Sequence, residues 1–271
     1  MHQPATPHPD VEFFGRHVLV TGAASGIGRA LSLRLLALGA RVSALDLDTS
    51  ALAGLAWDAD GIGEPDALCL QSVDVGDAAA VETAIAAAEQ QHGPVQYLSC
   101  VAGVLQMGRI VDLTDAQWLR VFNINTTGVF NVCRRVARSM IEQGRGAIVN
   151  VSSNAAGTPR AGMGAYAASK AAVTQMSACL ALELAPHGIR VNVVSPGSTD
   201  TEMQRAMWRQ GSSLDTVLQG DAAQFRLGIP LGKIATPDDI ADAILFLLSK
   251  RAGHITLHDL RVDGGATLDQ R

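Results

Sequence analysis

The sequence predicts an α/β fold, with one doubly wound parallel sheet of seven strands and helices on both faces. Two observations predict it. Short runs rich in Val and Ile alternate with longer Ala- and Leu-rich stretches whose apolar residues have helical spacing, which is typical of βαβ units. Most of the short runs are too continuously apolar to leave one face in water, so helices are expected on both sides of the sheet.

The elements follow one another along a single predicted domain, residues 13–271, after a flexible Pro-rich tail at residues 1–12. The predicted strands are His17–Thr21, Arg41–Leu45, Cys69–Val73, Tyr97–Val101, Ala147–Val151, Arg190–Val194 and Ile255–Val262. The predicted helices are Ile27–Leu38, Ala79–Gln91, Ala116–Gln143, Ala165–Ala185 and Asp238–Leu248. Pro237 followed by two aspartates marks the start of the last helix, because acids are favoured in a first turn.

Composition excludes several classes of protein. Of 271 residues, 48% are hydrophobic and 17% are charged, so the chain has the apolar content of a packed globular protein rather than a disordered one. A net charge of −5 offers no basic field for nucleic acid. No run is apolar and long enough for a membrane span, and no signal peptide is recognisable, so we expect a cytoplasmic protein. The four cysteines are too far apart in sequence for a zinc site or a disulfide framework and are expected to be reduced thiols.

A glycine-rich turn, Gly22 to Gly28, joins the first predicted strand to the first helix. Glycines there allow a tight turn and let the backbone approach a pyrophosphate, whose charge is then stabilised by the helix N-terminus. The turn therefore indicates a Rossmann-type dinucleotide site, although an ordinary strand-to-helix turn would also use glycine. Asp46 ends the second predicted strand, where a carboxylate accepts hydrogen bonds from the adenine ribose hydroxyls and repels a 2′-phosphate. Because Leu47 adds no positive charge, the predicted cofactor is NAD rather than NADP, unless Asp46 is simply a polar strand end.

Tyr166 and Lys170 lie four residues apart on a predicted helix and therefore share a face. A phenol has a pKa of about 10, so half-ionising it near neutral pH requires stabilisation by about 3.4 kcal/mol. An ammonium about 4.5 Å away at an effective dielectric constant of 20 supplies roughly that amount, and a positive nicotinamide ring adds more. Tyr166 is therefore predicted to be a general base that takes the proton of an alcohol while a hydride leaves for the cofactor.

Ser152 and Ser153 directly follow the strand before that helix, at the sheet edge where such sites form. With these hydroxyls, the tyrosine and lysine and the glycine turn, the chain resembles the short-chain dehydrogenase/reductase family from about residue 15 to its end. The resemblance implies that Ser153 rather than Ser152 orients the substrate, that Lys170 also binds the nicotinamide ribose, and that Asn125 rather than Asn123 supports a water relay. It implies a cofactor site at Gly22, Ser25, Gly26, Ile27, Gly28, Asp46, Asp74, Val75, Ala102, Gly103, Tyr166, Lys170, Pro196, Gly197, Thr199 and Thr201.

One departure from the family pattern is visible. Members usually have Asn-Asn-Ala-Gly or Asn-Ala-Ala-Gly after the fourth strand, whereas this chain reads Cys100-Val-Ala-Gly103. Loss of the asparagine removes hydrogen bonds that brace the sheet, at a cost of about 1 kcal/mol. The rigidity of this part of the sheet is therefore in question.

Stretches outside the shared motifs resemble members of the family that oxidise a ring alcohol of a cyclohexadiene carboxylate. The ketone formed would tautomerise to an aromatic catechol acid of the kind used in siderophores. A carboxylate substrate calls for a cation in the pocket. Arg160, seven residues after Ser153, and Arg205 are the candidates, although either could be a solvated surface arginine. Apolar contacts to the ring could come from Met107, Met163 and Met203, which could equally be core residues.

Three alternatives remain open from sequence. The ring could carry an amine in place of a hydroxyl, the enzyme could be an NADP-dependent 3-oxoacyl thioester reductase, or the chain could be a non-catalytic sensor of the cofactor. Asp46 disfavours the reductase, and the complete set of Ser153, Asn125, Tyr166 and Lys170 disfavours the sensor. By analogy with the family, a homotetramer is expected through the helices at residues 116–143 and 165–185.

Overall fold

The computed structural model describes residues 12–209 and 213–268. Seven parallel strands form one sheet in the order β3-β2-β1-β4-β5-β6-β9, and a separate antiparallel hairpin pairs β7 with β8. The strands are β1 (His17–Thr21), β2 (Arg41–Asp46), β3 (Leu68–Ser72), β4 (Tyr97–Cys100), β5 (Gly146–Val151), β6 (Ile189–Pro196), β7 (Gly220–Asp221), β8 (Arg226–Leu227) and β9 (Asp259–Val262). The predicted seven-stranded doubly wound sheet is confirmed.

Nine α-helices lie in the described part of the chain. They are α1 (Gly26–Ala37), α2 (Thr49–Asp58), α3 (Ala78–His92), α4 (Asp115–Phe122), α5 (Gly128–Gln143), α6 (Gly164–Leu184), α7 (Glu202–Arg209), α8 (Leu214–Gln219) and α9 (Pro237–Leu248). Two apolar cores, one on each face of the sheet, hold the layers together. On one side α1 and α9 bury Leu31, Leu35 and Ile244, and on the other α3 and α5 bury Ile85 and Met140.

Local signals explain several boundaries. Helix α9 begins as predicted, because the Thr236 hydroxyl accepts from Asp239 N while the Asp239 carboxylate accepts from Thr236 N, a reciprocal N-terminal cap. The predicted tail lies outside the described residues except for Glu12, whose carboxylate accepts a hydrogen bond from Lys250 N. Among the described helices, none is long and apolar enough to cross a membrane.

The structure differs from the predicted elements in a divided helix, a shortened strand and several elements that were not predicted. The predicted helix over residues 116–143 is divided by a π-helical turn at Asn123–Thr127 between α4 and α5. The last predicted strand forms only over Asp259–Val262, since the chain before it turns at Leu257, which has a φ of 61°. Helices α2, α7 and α8 and the β7–β8 hairpin were not predicted.

The strand order places the site. The sheet runs outward in both directions from β1 and β4, so the connections after these strands leave on opposite sides and open a crevice at the carboxyl ends of the strands. Ligands of doubly wound sheets bind at this position. A cavity of about 360 Å³ lies there, which is within the range of small-molecule sites.

Candidate active site

Most of the residues predicted for the site lie around this one cavity. Of the predicted cofactor set, all but Gly28 line it, as do Ser153 of the predicted catalytic set and three of the five predicted substrate residues. These lining residues are Gly22, Ser25, Gly26, Ile27, Asp46, Asp74, Val75, Ala102, Gly103, Ser153, Arg160, Met163, Tyr166, Lys170, Pro196, Gly197, Thr199, Thr201 and Met203. Gly28, Asn125, Met107 and Arg205 are not among its lining residues.

The glycine turn after β1 requires its glycines for two different reasons. Gly22 has a φ of 65°, and a Cβ on it would lie 2.7 Å from the backbone of Ala102 in the neighbouring connection. A Cβ on Gly28 would lie 2.0 Å from the carbonyl oxygen of Gly22, so this glycine lets α1 pack directly under the turn. The turn is therefore an open backbone surface at one end of the cavity, with Gly28 supporting it from beneath.

Asp46, at the end of β2, fixes the turn as well as facing the cavity. One carboxylate oxygen accepts from Ala24 N at 3.0 Å and the other from Asp48 N at 3.1 Å. Each oxygen keeps a second acceptor site. Leu47, beside it, lines the cavity with an exposed side chain. Asp74, after β3, accepts from Gly76 N at 2.8 Å and is also at the cavity.

Helix α6 brings Tyr166 and Lys170 together one turn apart. The lysine Nζ lies 5.8 Å from the centre of the tyrosine ring, is buried, and donates to the Val151 carbonyl oxygen at 2.9 Å. Ser153, just after β5, lies within hydrogen-bonding reach of the Tyr166 phenol. Ser152 instead donates to the Lys170 carbonyl oxygen at 3.0 Å and shares a 2.8 Å hydrogen bond with Thr174. Only the Ser153 hydroxyl is therefore directed towards the phenol.

The electrostatics of this pair differ from the sequence-based expectation. Burial lowers the pKa of Lys170 to about 8. Burial also raises the pKa of the Tyr166 phenol, and the hydrogen bond from Ser153 only partly offsets this. The expectation that Lys170 by itself lowers the pKa of Tyr166 is therefore wrong for this structure, because the penalty of placing a phenolate in a buried site is larger.

Asn125 lies behind the catalytic side chains rather than among them. It is in the π-helical turn and fully buried, and its amide oxygen accepts from Val104 N at 2.8 Å. Its amide nitrogen donates to the Val104 carbonyl oxygen at 2.9 Å and to Ser169 Oγ at 3.0 Å. The side chain therefore joins the chain after β4 to helix α6.

Cys100, which replaces the family's asparagine, takes part in a different set of contacts. Its sulfur lies 3.9 Å from that of Cys133, which donates to Asn150 Oδ1 at 3.4 Å. Asn150 in turn donates to Ser177 Oγ at 2.9 Å. The contact with the Cys133 thiol and burial raise the pKa of Cys100, so it stays protonated. Side-chain contacts thus still connect β4, α5, β5 and α6, and the four cysteines form no disulfide.

The predicted substrate residues divide into two groups. Arg160 is half-buried at the cavity, and both burial and the nearby Arg226 lower its pKa. Arg205 is instead exposed and paired with the Asp200 carboxylate through two hydrogen bonds of 2.8 and 3.0 Å. Its assignment as a substrate ligand is therefore corrected. Met107 is also away from the cavity surface, with its methyl group beside Gly162, whereas Met163 and Met203 line the cavity.

Sequence reasoning missed several residues of the cavity wall, among them Arg226 and Met207. Arg226, in the β7–β8 hairpin, lines the cavity and donates to Ser198 Oγ at 3.2 Å. Met207 lies one helical turn after Met203 on α7 and lines it as well. The i, i+4 spacing of the two methionines was a usable signal for a shared face, but nothing in the local pattern around Arg226 indicated a hairpin.

Comparison with known proteins identifies a matching family model, similar proteins and similar solved structures. A family model described as short chain dehydrogenase matches residues 16–211. The 2,3-dihydro-2,3-dihydroxybenzoate dehydrogenase of Bacillus subtilis (strain 168) is 46% identical over 254 residues, covering 94% of this chain and 97% of that protein. The vibriobactin-specific enzyme of the same name from Vibrio cholerae serotype O1 is 46% identical over 261 residues, covering 96% and 99%. Among solved structures, gox2181 superposes with a TM-score of 0.86 at 33% identity, covering 95% of this chain and 97% of that one.

Proposed function

Since the chain belongs to the short-chain dehydrogenase/reductase family, we propose that it oxidises 2,3-dihydro-2,3-dihydroxybenzoate to 2,3-dihydroxybenzoate with NAD, as a step of siderophore biosynthesis. The observation that carries the proposal is the arrangement of one cavity. Tyr166, Lys170 and Ser153 meet in it, and Arg160 supplies a half-buried cation on the loop that follows Ser153. The tyrosine, lysine and serine suit alcohol oxidation, and the arginine suits a substrate with a carboxylate.

The residues present fit a dinucleotide. Gly22, Ser25, Gly26 and Ile27 of the turn line the cavity, so the backbone there is open to close approach of a pyrophosphate. The Asp46 carboxylate has acceptor capacity left for ribose hydroxyls, and the neighbouring Leu47 brings no positive charge for a 2′-phosphate, which favours NAD over NADP. When bound, the oxidised nicotinamide supplies the two-electron acceptor. We assign Asp74 and Val75 to the adenine, and Thr199 and Thr201 to the nicotinamide amide and the phosphates.

The chain's own residues handle the proton. Ser153 holds the alcohol oxygen opposite the phenol, and ionised Tyr166 takes the hydroxyl proton as the ring carbon loses its hydrogen with two electrons. Lys170 stabilises the phenolate and binds the nicotinamide ribose. Asn125 supports the water relay that carries the proton away, since it lies close to the lysine: a Cβ on Gly103 would be 3.3 Å from both Lys170 Nζ and Asn125 Oδ1. The ring ketone then shifts one ring proton to oxygen and becomes aromatic, which makes the overall reaction effectively one-way.

The rest of the cavity binds the ring. Arg160 pairs with the carboxylate, and Met163 and Met203 contact the ring faces. Methionine suits this role because its flexible thioether adapts to a planar ligand.

The proposal is tested by incubating the protein with NAD and the diol acid, following the absorbance of reduced nicotinamide, and identifying the product by chromatography. We expect stoichiometric 2,3-dihydroxybenzoate and much slower reaction with NADP. Faster turnover of trans-2,3-dihydro-3-hydroxyanthranilate would assign the amine-bearing ring instead. Failure with both rings, together with NADPH-dependent reduction of an acetoacetyl thioester, would overturn the proposal in favour of a thioester reductase.

The assembly we propose is a homotetramer. Large apolar side chains on the outer faces of α4, α5 and α6 support it, because exposed apolar area of this kind marks protein interfaces. They are Trp118, Leu119, Phe130, Ile141 and Leu182.

A further inference from the structure

We propose that Arg226 joins Arg160 to form a two-guanidinium subsite that holds the substrate's carboxylate. This inference rests on the proposed function, and it adds a residue from the β7–β8 hairpin that no sequence motif indicates. Arg160 comes from the loop between β5 and α6, seven residues after Ser153. The two side chains thus reach one cavity from chain segments more than sixty residues apart.

Arg226 is oriented by its surroundings. Its Nη2 donates to Ser198 Oγ at 3.2 Å, and Ser198 itself lines the cavity just after β6. The hairpin is short, with Gly220 paired to Leu227 and Asp221 paired to Arg226, so the backbone that carries the arginine is held by pairing with β7. One nitrogen is therefore used to hold the guanidinium, and four N–H groups remain for a ligand.

Neither guanidinium is neutralised within the described part of the chain. No carboxylate among the described residues lies within ion-pair distance of Arg160 or Arg226. Two acids act on these arginines electrostatically, and both already accept hydrogen bonds elsewhere. Asp263, which acts on Arg160, accepts from Asn154 Nδ2 at 3.2 Å and from Gly265 N at 3.0 Å. Asp221, which acts on Arg226, accepts from Ala223 N at 2.9 Å. By contrast Arg135, another mostly buried arginine, pairs with Glu82 and Glu89 at 2.7 Å each.

Two half-buried cations close enough to repel each other predict an anion between them. The Arg226 charge lowers the pKa of Arg160, and burial disfavours the charge on both. A carboxylate that accepts from both guanidinium groups would remove the repulsion and satisfy their donors, in the charge-assisted geometry that arginine favours. Because Arg160 lies on the loop that presents Ser153, this anion belongs to the molecule whose hydroxyl Ser153 holds.

The test uses binding of the product, 2,3-dihydroxybenzoate, and of catechol, which has the same hydroxyls but no carboxylate. Dissociation constants are measured by calorimetry in the presence of NAD, alongside KM for the diol acid and the affinity for NAD alone. We expect Arg226→Gln and Arg160→Gln each to weaken product binding and raise KM by about 10- to 100-fold. Catechol and NAD affinities should change by less than about threefold, which also shows that the variants fold.

Arg205→Gln is the matched control, because Arg205 is an exposed arginine that pairs with Asp200 outside the cavity. It should leave all four constants unchanged. The inference is wrong if Arg226→Gln leaves product affinity unaltered, or if it weakens NAD instead, which would assign the arginine to the cofactor phosphates. If the wild-type protein neither binds nor oxidises the ring acids, the proposed function fails, and that result is distinct from an unaffected variant.

Discussion

The reacting pair shows how burial controls chemistry at single residues. Burial raises the pKa of the Tyr166 phenol and lowers that of the Lys170 ammonium to about 8, so burial disfavours the charged form of each side chain. A phenolate beside an ammonium therefore forms only when a further positive charge offsets the free-energy cost of burying the phenolate. Oxidised nicotinamide has the required sign. We therefore expect Tyr166 to become an effective base only when the oxidised cofactor is bound, so that proton removal occurs only in the complex that can also accept the hydride.

Tyr166→Phe removes the proposed base and keeps the ring. We expect kcat to fall by about 10²- to 10⁴-fold, as for loss of a positioned general base, with NAD affinity changed by less than about threefold. Single-turnover kinetics and a fluorescence titration with NAD measure the two quantities. Tyr97→Phe is the control, since Tyr97 is the only other tyrosine and packs against Phe13 at 5.3 Å. Unchanged turnover in Tyr166→Phe would remove the residue from the mechanism.

Cofactor choice is the second property argued from individual residues. In the double variant Asp46→Asn, Leu47→Arg, the amide oxygen can still accept one of the two backbone hydrogen bonds that hold the turn, while the negative charge is replaced by a positive one nearby. We expect the ratio of kcat/KM for NADP to that for NAD to rise by about 10- to 100-fold or more. Steady-state kinetics with both cofactors measures it. Leu47→Met, which changes no charge, should keep the wild-type ratio. A double variant with the wild-type ratio would contradict the role given to Asp46.

Not all residues of the cavity are equally predictable from sequence. Tyr166 and Lys170 can be placed together because a helix fixes the geometry of residues four apart, and Asp46 because a strand end fixes its edge of the sheet. That Arg160 and Arg226 line the same cavity depends on where the β7–β8 hairpin lies relative to the sheet. Arg205 shows the reverse error, since an arginine close in sequence to the site pairs locally with Asp200 instead.

At the scale of elements, the π-helical turn at Asn123–Thr127 is the feature that periodicity could not predict. The apolar pattern continues from α4 into α5, so a single long helix fits it, whereas the widened turn leaves ordinary helical spacing on each side of it. The turn directs Asn125 inward and leaves Asn123, two residues earlier, exposed. A backbone irregularity thus selects which asparagine is buried.

Replacing Asn125 by alanine tests the structural part of its role. The change leaves Val104 N–H and C=O without their side-chain partners, so we expect the free energy of unfolding to fall by about 1–3 kcal/mol. Urea denaturation measures it. Asn123→Ala serves as the matched control and should change stability by less than about 0.5 kcal/mol, as is usual for exposed positions. Equal losses in the two variants would show that the buried hydrogen bonds do not hold the turn.

At the scale of the whole molecule, the doubly wound sheet could be predicted because alternation of strands and helices leaves few ways to cover a parallel sheet on both faces. The association of subunits could not be predicted from the residues alone, because exposed apolar side chains and half-buried ones have the same helical spacing in the sequence.

The proposed tetramer is tested by light scattering. We expect the wild-type protein to be a tetramer and the Leu119→Glu and Leu182→Glu variants to form smaller species. Lys250→Glu, which changes charge at an exposed position, should keep the tetramer. A monomeric wild-type protein would contradict the assembly.

Two buried histidines make the stability of the whole fold depend on pH. His17 of β1 donates from Nδ1 to the Gly93 carbonyl oxygen at 2.6 Å and accepts at Nε2 from Ser43 Oγ at 2.8 Å, so it is held in the neutral form. His92 packs edge-on against it with ring centres 5.3 Å apart. Burial lowers the pKa of His17 from 6.5 to about 4 and also lowers the pKa of His92. Above pH 6.5 neither the folded nor the unfolded chain protonates His17, whereas between pH 6.5 and 4 only the unfolded chain does.

Stability should therefore be lost as the pH falls from 6.5 to 4, by about 3 kcal/mol from His17 alone. His17→Asn keeps a donor for Gly93 but cannot be protonated, so its stability should be lower at pH 7 and should fall less steeply below pH 6.5. Subtracting its urea-derived unfolding free energies from those of the wild type at each pH isolates the contribution of His17. His187→Asn makes the same change at an exposed histidine and should give a flat difference curve. A flat curve for His17→Asn as well would mean that the buried imidazole is not what limits the fold in acid.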